Sequence, residues 1–439
     1  AGILTLSASN SMSGGVAINA GGIYLDDSKG LGSGTINLNG GRLGAISASR
    51  TLTNAVVVNA DTSFGKADGN GNQLTLSGGV DLGGGTRVLN LDNSVVVSGG
   101  LSNGGLIIDS SLNRNFTVSG NATYAGGTTV RGGNFKLSGN GALNSVGAFN
   151  LAATTTNASL DISGLTGNGT TIGSLAGAAN SSVALGAKNL AVGGNNNSTS
   201  YAGSISGAGG SLTKNGSGKF ILSGSNSYTG ATTVAAGNLT VNGSIANSAT
   251  TVQSGATLGG SGTVGALEIA SGGTLAPGNS PGTLNASSAL WNGGGHYAWE
   301  INNFLGSAGT NYDFLNVTGA LTISAASDNK FIIDVISLLA ADNTAGSASN
   351  FDAYSNYSFA IATAAGGISG FDAAYFDIMT AGFSNSMLPA GATVAGSWSI
   401  SKSGNSINLN YAAAIPEPTT GSLLLVGLLG ALAARRRRS

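Results

Sequence analysis

The chain has 439 residues and a formal net charge of −1 at pH 7, and only 8% of its residues are charged. It contains no Cys, which excludes disulfides and thiolate metal sites, and Lys and Arg form no cluster before the last five residues, so nothing suggests a nucleic-acid partner. Hydrophobic residues make up 41% of the chain, so it can bury a core.

Short β-prone runs bounded by Gly, Asn and Ser recur from the N-terminus to about residue 290. Examples are residues 34–39, 55–59, 73–77, 94–98 and 115–119. Their residues alternate with period two, which is typical of strands, and Gly and Asn supply the positive φ of the corners between them. We predict an all-β fold in which residues 1–290 form the first domain.

Internal repeats define how these strands are arranged. Residues 116–139 align without gaps to residues 220–243, with 11 identities in 24 positions. A shorter interval of 19 residues separates Phe116 from Phe135. Such a period, made of strands shorter than six residues, is typical of a parallel β-helix with coils of roughly 19 residues. A meandering β-sandwich would instead need hairpins of directly adjacent strands.

The same interval of 19 residues links Phe220, Leu239 and Leu258. In a solenoid, residues one period apart stack on each other, so we expect these three side chains to form an inward ladder. Alternation along the strand places Val241 on the same inward face as Leu239. Asn and Thr residues are expected to form polar ladders.

The strongest repeat motif lies within residues 204–284. Its order is Leu212-Thr213-Lys214, Gly216 and Gly218, then residues 222–230, 232–234 and 237–239. This order resembles the autotransporter-associated β-strand repeat of passenger domains, and residues 98–139 match it in part. The resemblance implies a right-handed parallel β-helix.

Residues 291–411 differ in composition from the repeats. All three Trp residues, the only His and a Tyr/Phe-rich stretch from 351 to 383 lie in this part of the chain. A solenoid needs a bulkier, less regular end to cover its open core, so we predict a β-rich capping region. The functional alternative is a carbohydrate-stacking face built on these aromatic side chains.

The last residues, 412–439, read as a sorting signal rather than part of the fold. Pro416, Glu417 and Pro418 hold the chain extended and open to a processing enzyme. Residues 421–434 are uncharged and predict a short hydrophobic helix, which is brief for a lasting membrane span. Its apolar membrane-segment residues include Gly421, Leu423, Leu424, Leu425, Val426, Leu428, Leu429 and Leu432. The closing cluster is Arg435, Arg436, Arg437 and Arg438, which the positive-inside rule keeps in the cytoplasm.

Pro-Glu-Pro, an apolar helix and an Arg cluster in this order resemble the bacterial PEP-CTERM sorting signal of Gram-negative species. The resemblance implies processing by an exosortase-type enzyme, transient anchoring in the inner membrane, and delivery to the cell surface or an exopolysaccharide matrix. An ordinary C-terminal anchor is the alternative. No secretory signal peptide is visible from Ala1 onward, so we expect that an upstream piece has been removed or is not included.

Few residues are suited to catalysis. His296 has no second His to share a metal, and the adjacent acids Asp26 and Asp27 are typical of a surface turn. We predict no catalytic, cofactor-binding or metal-binding residues. The leading hypothesis is a non-enzymatic, adhesin-like surface or matrix protein that contacts exopolysaccharide or other glycans. The alternative is a polysaccharide-binding or polysaccharide-degrading β-helix.

Overall fold

The computed structural model describes residues 2–154 and 156–416. Over these residues the predicted all-β fold and parallel β-solenoid are confirmed. Each strand of a 17-stranded sheet, named here the long sheet, pairs in parallel with the strand one coil away. The predicted C-terminal hydrophobic helix lies outside the described residues.

The long sheet runs the length of the solenoid. Its strands are Ile3–Leu6, Gly22–Leu25, Arg42–Ala45, Thr62–Phe64, Thr86–Leu91, Gly105–Asp109, Thr128–Val130, Ala148–Leu151, Ser174–Gly177, Thr199–Tyr201, Lys219–Leu222, Gly237–Val241, Ala256–Gly260, Thr274–Pro277, His296–Ile301, Phe331–Ser337 and Phe376–Gly382. Most are three to six residues long, as the short β-prone runs of the sequence predict.

Further sheets complete the coils. The first short sheet contains Val16–Ile18, Ile36–Leu38, Val56–Val58, Val80–Asp81 and Leu101–Ser102. The second short sheet contains Arg50–Leu52, Leu74–Leu76, Val95–Val97, Asn115–Val118, Gly133–Gly139, Ala158–Leu165, Ser182–Ala184 and Ser204–Ser206. The C-terminal sheet contains Gly169–Ile172, Asn189–Val192, Ser211–Lys214, Thr232–Val234, Ser244–Ile245, Thr250–Val252, Thr263–Ile269, Thr283–Asn292, Phe314–Val317, Leu321–Ser324, Tyr357–Ala364, Ile368–Ser369, Ser397–Ser403 and Ser406–Ala412. A two-stranded terminal ribbon joins Ala392–Val394 to Ile415–Pro416, and a 3-10 helix spans Ala373–Tyr375.

The predicted inward ladder is present in the long sheet. Phe220 pairs with Leu239, and Leu239 pairs with Leu258. All three side chains are at most 1% exposed, and Val241 is fully buried on the same face. In the second short sheet, Phe116 pairs with Phe135 as the 19-residue interval predicts. Stacked aliphatic and aromatic side chains therefore form the core along the whole solenoid.

The two aligned repeats lie on different faces of the solenoid. The strand Asn115–Val118 belongs to the second short sheet, whereas its counterpart Lys219–Leu222 belongs to the long sheet. Likewise, Thr128–Val130 is in the long sheet and its counterpart Thr232–Val234 is in the C-terminal sheet. The repeat thus specifies the shape of one coil, two strands and the corners between them, and does not specify which face those strands occupy.

Aromatic side chains fill the end of the solenoid that follows residue 290. Trp291 and Trp299 are fully buried, and Trp291 stacks on Phe331 with ring centroids 4.7 Å apart. Trp398 packs against Trp299 at 6.1 Å and is itself half-buried. Here the C-terminal sheet ends in antiparallel pairs that join Tyr357–Ala364, Ser406–Ala412 and Ser397–Ser403. Because Trp291 and Trp299 face the core, neither ring is available for stacking on a sugar.

Candidate functional site

A groove runs along one corner of the solenoid, where the chain passes from the second short sheet to the first. Its volume is about 620 Å³. Its floor contains Gly78, Gly79, Gly99, Gly100 and Gly120, and its wall carries the outward side chains of Asp81, Ser102 and Thr123. We name it the glycine groove. A second hollow of about 420 Å³ lies across the first short sheet and shares Thr123 with it.

The floor of the glycine groove exists because close stacking excludes side chains there. Gly78, Gly99 and Gly120 occupy the same corner in successive coils, 21 residues apart. A Cβ atom on Gly78 would lie 2.2 Å from the carbonyl oxygen of Asn54, and one on Gly99 would lie 2.2 Å from the nitrogen of Gly79. Such distances are far inside van der Waals contact. The groove is therefore a by-product of coil packing that exposes backbone along the solenoid axis.

The wall of the glycine groove offers hydroxyl groups and one carboxylate. The Asp81 carboxylate accepts hydrogen bonds from the Gly83 backbone N–H at 2.7 Å and from Asn103 Nδ2 at 3.0 Å. These bonds fix the carboxylate at the rim, next to the hydroxyls of Ser102 and Thr123. A surface of this kind suits a neutral polyhydroxylated ligand, because hydroxyl groups can both donate to the carboxylate and accept from the protein. It does not suit phosphate, which needs cationic partners.

An asparagine ladder follows the axis at the corner after the first short sheet. Asn39 Nδ2 donates to Asn19 Oδ1 at 2.8 Å, and Asn59 Nδ2 donates to Asn39 Oδ1 at the same distance. The three residues are 20 apart in sequence, so each coil contributes one amide. This is a polar ladder of the type that the repeat period predicts.

The repeat motif contains a buried contact that sequence reasoning missed. In one copy the hydroxyls of Tyr124 and Thr128 are hydrogen-bonded, and in the other those of Tyr228 and Thr232 are 2.7 Å apart. Burial raises the pKa of Tyr228 to about 12, which its hydrogen bond to Thr232 partly opposes. The signal was available, because both residues are identical in the two copies and four positions apart.

Lys214 of the repeat motif is also structural. Its side chain enters the core, and the residue is only 1% exposed. Nζ donates to the carbonyl oxygens of Asn215, Gly216 and Ala236 at 2.7, 2.8 and 3.1 Å, so all three ammonium donors are satisfied. Burial lowers the pKa of this group. The motif Lys therefore fastens a corner of one coil to the next.

The candidate catalytic residues of the sequence lie apart. His296 Nδ1 is 2.9 Å from Asp334 Oδ2 on the outer face of the long sheet. Asp26 accepts from Arg50 Nη2 at 2.9 Å, and Asp27 accepts from the Lys29 backbone N–H at 2.7 Å, as in a surface turn. The described part of the chain contains no group of three or more His, Asp or Glu side chains that could hold a metal.

Glu300 and Asp313 form a carboxyl pair that the sequence did not predict, because they are 13 residues apart and belong to no repeat. Asp313 is fully buried; Oδ1 accepts from the Gly282 N–H at 2.8 Å and Oδ2 from the Glu300 N–H at 3.1 Å. Burial, reinforced by the nearby Glu300 carboxylate, raises the pKa of Asp313 well above its usual value. With no exposed surface, Asp313 cannot touch a polysaccharide, so the pair does not support hydrolysis.

Stability should fall with rising pH because of Asp313. Its folded-state pKa lies above the unfolded value, so the folded chain retains a proton that the unfolded chain has lost, from about pH 4 up to the folded pKa. Denaturant unfolding across this range should show a smaller decline for Asp313→Asn than for the native chain. Asp342→Asn is the control, because hydrogen bonds from Thr344 lower the pKa of that exposed carboxyl. Equal slopes for the native chain and Asp313→Asn would contradict the assignment.

Of the predicted sorting residues, the structure describes only Pro416. It pairs with Ala392 in the terminal ribbon. Glu417, Pro418, the apolar run 421–434 and the Arg cluster 435–438 lie outside the described residues. No helix in residues 2–154 or 156–416 is long and apolar enough to cross a membrane.

Two family models match the chain. The passenger-associated-transport-repeat matches residues 1–23, 115–137 and 212–241, and the PEP-CTERM protein-sorting motif matches residues 414–438. No curated protein matches the chain. Each repeat match contains strands on two faces of the solenoid and extends over at least one coil.

The fold and these matches define a passenger-type parallel β-solenoid. Both resemblances seen in the sequence are confirmed: the chain carries passenger-associated transport repeats and ends in a PEP-CTERM sorting motif. The motif implies an exported protein that an exosortase-type system sorts to the cell surface. The matched families are structural or sorting families and not enzymatic ones.

Proposed function

We propose that the protein is a non-enzymatic, adhesin-like rod of the cell surface or extracellular matrix that associates with exopolysaccharide. The glycine groove carries this proposal, because it exposes hydroxyls and backbone at successive coils along the axis. Stacked strands repeat about every 4.8 Å, so a polymer lying in the groove would meet corner backbone and one outward side chain at each coil. Many weak contacts of this kind add up to useful affinity for a polymeric glycan.

Filling the glycine groove should weaken glycan binding without unfolding the rod. Ser102 points outward from the middle of the groove wall, so Ser102→Tyr places a ring across the path of the ligand. We expect this variant to bind exopolysaccharide purified from the producing cells about tenfold more weakly or worse, as sedimentation with the polymer would show.

The matched control is Thr233→Tyr. Thr233 also points outward from the middle of a strand, but it lies in the C-terminal sheet, away from the groove. This variant should bind like the native chain. Equal binding by both variants would place the glycan contact outside the glycine groove.

Export should remove the C-terminal tail. We propose that residues 421–434 hold the chain transiently in the inner membrane with Arg435, Arg436, Arg437 and Arg438 in the cytoplasm, while the exosortase-type enzyme acts near Pro416, Glu417 and Pro418. Mass spectrometry of the exported protein should therefore find a C-terminus close to Pro-Glu-Pro. The double variant Pro416→Ala/Pro418→Ala keeps the length and charge of the tail, and we expect it to accumulate in the membrane unprocessed. An exported native chain that still ends at Ser439 would contradict processing.

A further inference from the structure

Four exposed apolar side chains surround the point where the chain enters its sorting tail. Tyr354, Leu388, Val394 and Ile415 are 40%, 56%, 52% and 55% exposed. They are a third of the twelve large hydrophobic residues that are exposed in the described part of the chain. We name these four side chains the exit patch.

Hydrogen bonds and strand pairing bring the exit patch together. Val394 is directly opposite Ile415 in the antiparallel terminal ribbon, so their side chains lie on the same side of it. The Tyr354 hydroxyl donates to the carbonyl of Ala390 at 3.0 Å, which ties Tyr354 to the turn that directly follows Leu388. The four side chains thus come from three segments that converge on one corner of the molecule.

The folded body continues without a linker to the first residue of the sorting motif. The Ala413 N–H donates to Asn356 Oδ1 at 2.8 Å, and the Ala414 N–H donates to the Ala353 carbonyl at 2.7 Å. The Thr393 hydroxyl then donates to the carbonyl of Ile415 at 3.2 Å. These bonds hold the chain against the exit patch up to Pro416.

This anchoring limits how far the exit patch can be from the tail. The apolar run begins at Gly421, five residues after Pro416. Five extended residues span at most about 18 Å, and the polar interface of a bilayer is about 5 to 8 Å deep on each side. With Gly421 at the hydrocarbon boundary, Pro416 is therefore within about 10 to 13 Å of the headgroup surface. When residues 421–434 are in a membrane, the exit patch is therefore held next to its surface at high effective concentration.

The surroundings of the exit patch carry almost no charge to oppose such contact. From residue 385 to 416 the only charged side chain is Lys402. Two carboxylates lie two residues from the exit patch in sequence. Glu417 follows Ile415, and Asp352 precedes Tyr354 and accepts from the Tyr354 N–H at 3.0 Å and the Ser355 hydroxyl at 2.7 Å. Tyr at the rim of an apolar patch is suited to a membrane interface, because its ring is apolar and its hydroxyl polar.

We infer that the exit patch docks the folded body on the phospholipid surface while the tail is inserted, so that the Pro-Glu-Pro segment is presented at the membrane plane. The inference rests on the proposed membrane insertion of residues 421–434. Docking would fix the orientation of the rod during sorting, and release of the tail would leave only a weak apolar contact, which lets the rod leave the membrane.

The absence of Cys from the chain makes a direct test possible. Single variants of the full chain, Leu388→Cys, Val146→Cys and Ser422→Cys, are labelled with a polarity-sensitive fluorophore and reconstituted into phosphatidylethanolamine/phosphatidylglycerol vesicles containing nitroxide-labelled lipid. Val146 is the matched control, because it is an exposed apolar residue (51%) of the solenoid far from the tail in sequence. We expect blue-shifted, lipid-quenched emission at positions 388 and 422, with quenching at 388 several-fold stronger than at 146.

The three labels separate the possible failures. Emission typical of a water-exposed label at position 422 would contradict membrane insertion of the tail, the part of the proposed function on which the docking inference rests. If the label at position 422 is shielded from water but the labels at 388 and 146 emit identically, the docking inference alone is overturned. A label at 388 that is shielded only when membranes of the producing cell replace the pure lipid vesicles would identify a protein partner and would also overturn lipid docking. In the docking case, adding Val394→Ser and Ile415→Ser to the 388-labelled chain should weaken quenching several-fold.

Discussion

Replacing Leu239 with Asp should lower the free energy of unfolding by about 4 kcal/mol or more, because an unpaired carboxylate would enter a ladder that excludes water. Leu239 is fully buried and its neighbours in the ladder are Phe220 and Leu258. Since coils contact mainly their neighbours, the loss should concentrate around the substituted strand. Hydrogen exchange should show faster exchange in Lys219–Leu222 and Ala256–Gly260 than in strands near the N-terminus.

Thr257→Asp is the matched control for this substitution. Thr257 lies next to Leu258 on the strand but points outward and is half-buried, so a carboxylate there stays hydrated. We expect a change within about 1 kcal/mol. An unchanged melting temperature for Leu239→Asp would mean that the ladder register is wrong.

Gly99→Ala should cost about 3 kcal/mol, although it adds a single methyl group. The new Cβ would lie 2.2 Å from the nitrogen of Gly79 and 2.3 Å from the carbonyl oxygen of Ser77, both backbone atoms of the preceding coil. Neither atom can move without separating the strands on either side. Urea unfolding measures this cost. Sedimentation with exopolysaccharide then tests whether the added methyl group in the glycine groove also weakens binding.

Gly167→Ala separates this steric effect from the general effect of adding a side chain. A Cβ on Gly167 would meet no atom within 4 Å, and its backbone does not require positive φ. The substitution should be neutral or slightly stabilising, because Ala has less conformational entropy to lose on folding. A similar cost at both positions would show that the coils stack less tightly than the structure indicates.

The solenoid was predictable because its periodic signals are local and repeated. The 19-residue interval between Phe116 and Phe135 reports directly on strand pairing, since residues one coil apart are partners in a parallel sheet. The alternation around Leu239 likewise reports on burial. Both patterns can be recognised in a single sequence because they recur in many coils.

The remaining features depend on contacts that no period encodes. Asp313 meets Gly282 and Glu300 only after the chain leaves the regular coils, so its burial had no signature in the sequence. Lys214 was visible as a motif residue, but its insertion into the core contradicts the usual preference of Lys for the surface. The glycine groove could not be predicted because the glycines of its floor look the same in sequence as the glycines of any other corner.

The placement of equivalent repeats on different faces has a consequence for how such chains change length. A module that encodes one whole coil returns the chain to the face from which it started, so adding or removing one module leaves the following coils in phase. Phe116 and Phe220 begin the same module, yet one lies in the second short sheet and the other in the long sheet. The length of the rod can therefore change in steps of one coil, while the C-terminal sorting motif stays the same.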